Sequence, residues 1–245
     1  MLFEKGDSMA EWRAQLQGNN LDLQELKVIL SDHDPTIIQE NSDFYLKSKN
    51  WDQLEEAQQV RELASHIIGL LDSAAYIHFR DTAPITIGHI VRVKDDGSKD
   101  SFVFAEGLIT LRSRLRGTAT IIGPDGKPVE NHQEHPIIKI LRVSEKNSSV
   151  ADALAFLRKS DWISIYKAFE IVRDEVNGKE EIISHGWLTR KNINRFTQTA
   201  QSRDALGDDA RHASRKYKPP KDPMSIHEAK AIIGDLIQKW IDSLP

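Results

Sequence analysis

The sequence predicts an α+β protein, with a small antiparallel β-sheet flanked by N-terminal helices and a helical C-terminal half. Three observations carry that prediction. Apolar residues recur at three- and four-residue steps before residue 80 and again after Pro136. From Ile85 to Ile122 the period falls to two. The turns between the period-two runs are short, and a parallel crossover needs a dozen or more residues, so the strands pair as a meander.

The elements follow in order. Leu21 to Leu30 reads as a helix, stopped before Pro35 by Asp32-His33-Asp34. Trp51, Leu54, Val60, Leu63, Ala64, Ile67, Ile68 and Leu71 share one face of a longer helix. In Ile85–Val93 the odd-numbered residues take one face and the even-numbered ones the other, as in a strand, and the turn Asp95-Asp96-Gly97-Ser98 ends it. Ser101–Ala105, Leu108–Arg116 and Thr118–Ile122 read as further strands, closed by the turn signals of Gly123-Pro124-Asp125-Gly126-Lys127-Pro128. Trp162, Ile165, Tyr166, Phe169, Val172 and Val176 form a helical stripe capped by Ser160 or Asp161 and stopped at Asn177-Gly178. Thr189 caps a helix through Ile193, Phe196 and Ala200, and Ser225-Ile226-His227-Glu228 is a capping box for a terminal helix reaching Leu244. Residues 1–145 form an N-terminal α+β region and 146–245 a helical region.

Composition narrows the chemistry. The chain has 245 residues, 37 acidic against 33 basic side chains and a formal charge of −4, so it is not a uniformly basic nucleic-acid-coating protein. No cysteine is present, which removes disulfides, thiolate metal sites and cysteine nucleophiles. No apolar run approaches a membrane span and the N-terminus lacks the pattern of a signal peptide, so a cytoplasmic, non-membrane protein is expected. Phosphate loops, nucleophile elbows and dinucleotide fingerprints are absent. His132-Gln133-Glu134-His135 lacks the zincin spacing and reads as a polar turn, and neither metal nor cofactor is expected.

Charge is unevenly placed. Residues 1–80 hold 7 basic and 14 acidic side chains, whereas Gly186 to Lys221 hold 9 basic against 3 acidic. Within that basic stretch, Gly207 to Met224 combines His and Arg with a proline-rich lead into the last helix, a setting suited to anions. Arg211, His212, Arg215 and Lys218 are its candidate anion-binding residues. Were residues 203–213 one helix, Asp208 would lie four residues before His212 and orient its imidazole. A second candidate is the strand Leu108–Arg116, which places Arg112, Arg114 and Arg116 on one face. Their spacing of about 6.7 Å suits the phosphates of an extended single strand. Phe102 and Phe104 are the nearby aromatics.

The pattern G-D-x-A-R-H at 207–212, then P-P-x-x-P-M at 219–224, then an E-A-bearing helix ending in Trp resembles a set of uncharacterised bacterial proteins, and the likeness brings no activity with it. The order of apolar helices, Arg/His segment and final helix also resembles the HEPN family. That resemblance implies a metal-independent ribonuclease, with Arg211 and His212 as candidate catalytic residues. HEPN nucleases separate the two residues by four to six positions, whereas Arg211 and His212 are adjacent. Arg61 with His66 has the family spacing, but with 15 Arg and 9 His at least one such pair is expected by chance. The reading reached is a non-catalytic bacterial binding or regulatory protein with a basic C-terminal site for nucleic acid or another polyanion. Its alternatives are the ribonuclease, which would work as a homodimer, and a protein–protein interaction module.

Overall fold

The computed structural model describes residues 11–80, 82–104 and 134–245. They form an α+β fold divided into two compact units. One comprises the described residues up to Ile68 and those from 82 to Ile138; the other comprises Gly69–Arg80 and Lys139–Pro245.

The first unit is built on a five-stranded antiparallel sheet with strand order β2-β3-β1-β4-β5. Its strands are β1 Glu11–Gln17, β2 Thr36–Glu40, β3 Asp43–Lys47, β4 Thr86–Val93 and β5 Lys99–Val103. Strand β4 and its turn match the period-two prediction. The three strands before residue 50 are an addition to it, because only helices were expected there. In β1 the pattern Trp12, Ala14, Leu16 against Arg13, Gln15, Gln17 alternates fully, and the first three are buried. Glu40 pairs with Asp43, so Asn41-Ser42 is a two-residue hairpin loop, and Asn41 takes the positive φ of 54° that this tight connection requires.

Helix α1, Asn20–Ile29, follows its prediction; the Asn19 side chain caps it by accepting from the Leu21 and Asp22 amides. Leu23, Leu26 and Leu30 are buried, as are Ile37, Phe44 and Leu46 of the sheet. The long helix α2 spans Ala57–Phe79, so it starts later and runs further than the Trp51–Leu71 stripe implies. Trp51 sits in a 3₁₀ turn capped by Ser48, and the Leu54 carbonyl accepts the indole N–H of Trp12 at 2.8 Å. These contacts use the first two residues of the stripe outside the helix.

The other sheet face carries an ion-pair network beside buried Val91. Arg13 on the central strand, only 12% exposed, pairs with Glu11 and Glu40, Lys47 reaches Glu11 at 3.2 Å, and Lys99 pairs with Glu40. Glu40 and Lys99 belong to opposite edge strands, so their side chains meet across the face of the twisted sheet.

The second unit is helical: α3 Pro136–Lys146 (from Lys139 on), α4 Ser148–Lys159, α5 Trp162–Glu175, α6 Lys179–Ser184, α7 Arg190–Gln201, α8 Arg203–Leu206 and α9 Ile226–Ser243, with the second half of α2. Asp161, not Ser160, caps α5, while Ser160 ends α4 in the left-handed region at φ 58°. Thr189 and Ser225 cap α7 and α9 as predicted. Phe196 of α7 packs its ring within 5.4 to 6.3 Å of Phe169, Tyr166 and Trp162 of α5. The Ser73 hydroxyl donates to the carbonyls of Gly69 and Leu154, tying α2 to α4. Among the described residues no helix is long and apolar enough to cross a membrane.

Candidate functional site

The basic segment leaves α7 at Ser202 and returns to α9 at Ser225. It is not one helix. Helix α8 ends at Leu206, Gly207 takes φ 63°, a 3₁₀ turn covers Gly207–Asp209, and Ala210 is extended. The predicted Asp208–His212 pair therefore does not form: Asp208 accepts from Arg203 at 2.6 Å, and His212 stacks on Tyr217 with ring centroids 4.6 Å apart and planes 19° from parallel.

Arg211 is held at both ends. Its amide donates to the Ala200 carbonyl at 2.8 Å. Its guanidinium lies over the Tyr166 ring at 4.4 Å and donates to Glu170 at 3.0 Å. Tyr166 in turn accepts from the Gln201 amide through its hydroxyl at 3.1 Å. Arg211 and His212 thus have separate partners, one on α5 and one within the loop.

Arg215 and Lys218 converge. Both reach the carboxylate of Asp204, at 3.6 and 3.5 Å, while their own side chains stay 77% and 78% exposed. Between them in sequence, Tyr217 carries His212 on its ring, and the Lys216 ammonium lies 4.9 Å from the same ring's centre. Lys216 and Lys221 have no carboxylate partner among the described residues. Three features built from separate signals therefore sit in one loop: a shared carboxylate clamp, an aromatic stack and unpaired lysines. Asp204 and Tyr217 are functional candidates that the charge pattern alone does not mark; Tyr217 is the one Phe, Tyr or Trp between Arg203 and Lys221, and that is the signal for it.

The loop is anchored at its exit. Arg195 of α7 pairs with Glu228 through both guanidinium nitrogens, and with Asp222 at 2.9 Å. Glu228 therefore spends its carboxylate on Arg195, while Ser225 alone caps α9 by accepting from the Glu228 amide at 3.2 Å. Below it, buried Thr199 donates to the Arg195 carbonyl at 2.8 Å and accepts from the Met224 amide at 3.1 Å.

The other predicted candidates fall elsewhere. Arg112, Arg114 and Arg116, with the strands predicted at 108–116 and 118–122, the turn at 123–128 and His132, lie outside the described residues. Phe102 packs against Trp12 with centroids 5.8 Å apart, and Phe104 lies under the Arg61 guanidinium at 4.6 Å. The His135 ring accepts from the Ile137 amide at 3.2 Å, and no cluster of three metal-ligating side chains occurs among the described residues. Comparison with protein-family models, with curated proteins and with solved structures finds no match.

Proposed function

We propose that the loop 203–221 is a non-catalytic binding surface for phosphate-bearing polyanions, with single-stranded nucleic acid as the ligand that uses all of its features. The observation that supports this is the convergence of exposed Arg215 and Lys218 on the Asp204 carboxylate beside the His212–Tyr217 stack. Two exposed cations that converge on one carboxylate can converge likewise on a phosphate seated on their outer side. Lys216 and Lys221 extend the positive track along the backbone, and the Tyr217–His212 stack offers a face for a base, as sequence-tolerant single-strand binders require. Arg211, engaged with Glu170 and Tyr166, positions the loop rather than contacting ligand.

Fluorescence anisotropy with a labelled single-stranded RNA tests this reading. Four phosphate contacts give a salt slope of about −2.8, which is roughly a fifty-fold loss of affinity between 50 and 200 mM salt. Arg215→Ala with Lys218→Ala should halve that slope and weaken binding about tenfold or more at low salt. Absence of binding at 50 mM salt, or binding indifferent to the double substitution, refutes the site.

A further inference from the structure

The second unit also carries a cleft far from the loop in sequence. It is an open cavity of about 440 Å³ where the C-terminal ends of α5 and α9 meet the α6 turn, lined by Glu175, Glu181, His185, Trp187, Trp240 and Leu244. Its floor is aromatic: Trp240 is buried, and His185 stacks on Trp187 with centroids 4.8 Å apart and planes 19° from parallel. Its charge is negative and unspent. Glu175 accepts from the Ser149 hydroxyl at 2.6 Å, and Glu181 from the Ser184 hydroxyl at 3.2 Å. Neither carboxylate has a cationic partner among the described residues, although Glu170, Glu180 and Glu228 in the same unit each hold an arginine. The nearest lysine on α9, Lys239, donates to the Trp187 carbonyl at 2.9 Å instead. The last turn of α9 contains no basic residue, so its negative dipole end adds to the potential of the cleft.

We infer that this cleft binds an organic cation of guanidinium or alkylammonium type, stacked on the Trp187–His185 face and paired with Glu175 and Glu181. Flat indole faces attract cations, and two carboxylates without counter-ions supply the partners that such a group requires. An apolar stem on the cation fits the remaining Trp240 and Leu244 wall. A free small molecule and an arginine side chain of a partner protein present the same chemistry.

Indole N–H signals in ¹H–¹⁵N spectra of the full chain, with Trp187 assigned through Trp187→Phe, provide the test. Agmatine and a capped arginine tripeptide are titrated separately, against sodium chloride at matched ionic strength. The expected result is a saturable Trp187 shift at millimolar or lower concentration, weakened at least tenfold in Glu175→Gln with Glu181→Gln. Response to both probes assigns the site to a guanidinium from any source, and response to the tripeptide alone assigns it to a partner's arginine. A Trp187 signal that moves no further with either probe than with sodium chloride, or a response retained by the folded glutamine variant, overturns the inference. Because no residue of loop 203–221 is touched, this result is independent of RNA binding.

Discussion

Asp204→Asn separates a polyanion site from a loop that is merely held together by ion pairs. Asp204 lies 3.6 Å from Arg215 and 3.5 Å from Lys218, and both cations are more than three-quarters exposed. A phosphate seated on their outer side would lie about 7 Å from that carboxylate. At this separation two unit charges repel by about 0.6 kcal/mol in a water-like dielectric. Releasing the two cations from an exposed pair costs a further fraction of about 1 kcal/mol, as usual for surface ion pairs. Removing the charge therefore gains about 1 kcal/mol for the bound anion, or roughly a fivefold lower Kd, because 1.4 kcal/mol is tenfold. The gain should shrink as salt rises, since the cations are solvent-exposed and screened.

Anisotropy titrations of the variant and the parent at 50 and 200 mM salt measure the difference, with thermal denaturation as a control for loop order. If the aspartate serves only to fasten the loop, its loss leaves RNA binding unchanged or weaker while lowering the melting temperature. That outcome would refute the role given to Arg215 and Lys218. A fivefold gain at low salt cannot come from a loss of loop order.

Two further predictions concern stability. Thr199→Val keeps the volume of a fully buried side chain but strands the Met224 amide, so it should cost about 1–3 kcal/mol in chemical denaturation, without changing the folded circular dichroism spectrum. Arg13→Met should cost about 2 kcal/mol at neutral pH, between the values for exposed and fully buried pairs, because it leaves Glu11 and Glu40 without their central partner. Burial pulls the Glu11 carboxyl upward, but the hydrogen bonds and charges of Arg13 and Lys47 outweigh it and hold it below the ordinary range; hydrogen bonds from Lys99 and Arg13 do the same for Glu40. Carboxylates depressed on folding contribute stability above their unfolded pKa and lose it as pH falls through the folded value. The difference between parent and variant should therefore be full at pH 7 and shrink below about pH 4.5 in urea denaturation; a difference constant down to pH 3 would contradict the pairing.

The elements visible in the sequence were those whose local signals agree with one another. Helix α9 combines a Ser225 cap with unbroken apolar periodicity, and α5 and α7 do the same with Asp161 and Thr189. Strands β2 and β3 escape the sequence because each is five residues long and their hairpin loop, Asn41-Ser42, lacks the glycine that usually marks one. The alternation of Trp12, Ala14 and Leu16 is a local signal for β1, but its pairing with β4, 69 to 82 residues away, is not local. In the loop, charge density was legible but pairing was not. Nothing in composition distinguishes Asp208, which takes Arg203, from Asp204, which takes Arg215 and Lys218. The left-handed turn at Gly207 decides it by ending the helix before His212 could fall into line with Asp208.

That division of partners also fixes what kind of recognition the loop can offer. Arginine reads carboxylate or phosphate through a rigid fork, whereas lysine acts as a mobile point charge. Arg190, Arg195, Arg203 and Arg211 already spend their forks on Glu180, Glu228, Asp208 and Glu170. The charges left for a ligand in loop 203–221 are Lys216 and Lys221, which have no carboxylate partner among the described residues, with Lys218 and Arg215, which share the Asp204 carboxylate at 3.5 and 3.6 Å. On the proposed reading, such a site would track a phosphate backbone and stack bases without reading their edges. Sequence discrimination should accordingly be small: poly(U) and poly(A) oligonucleotides of equal length should bind within about tenfold of each other, the difference following stacking strength on Tyr217 and His212. A hundredfold preference would require base-edge contacts that the paired arginines of this loop do not have free to give, and would move the recognition to other residues of the chain.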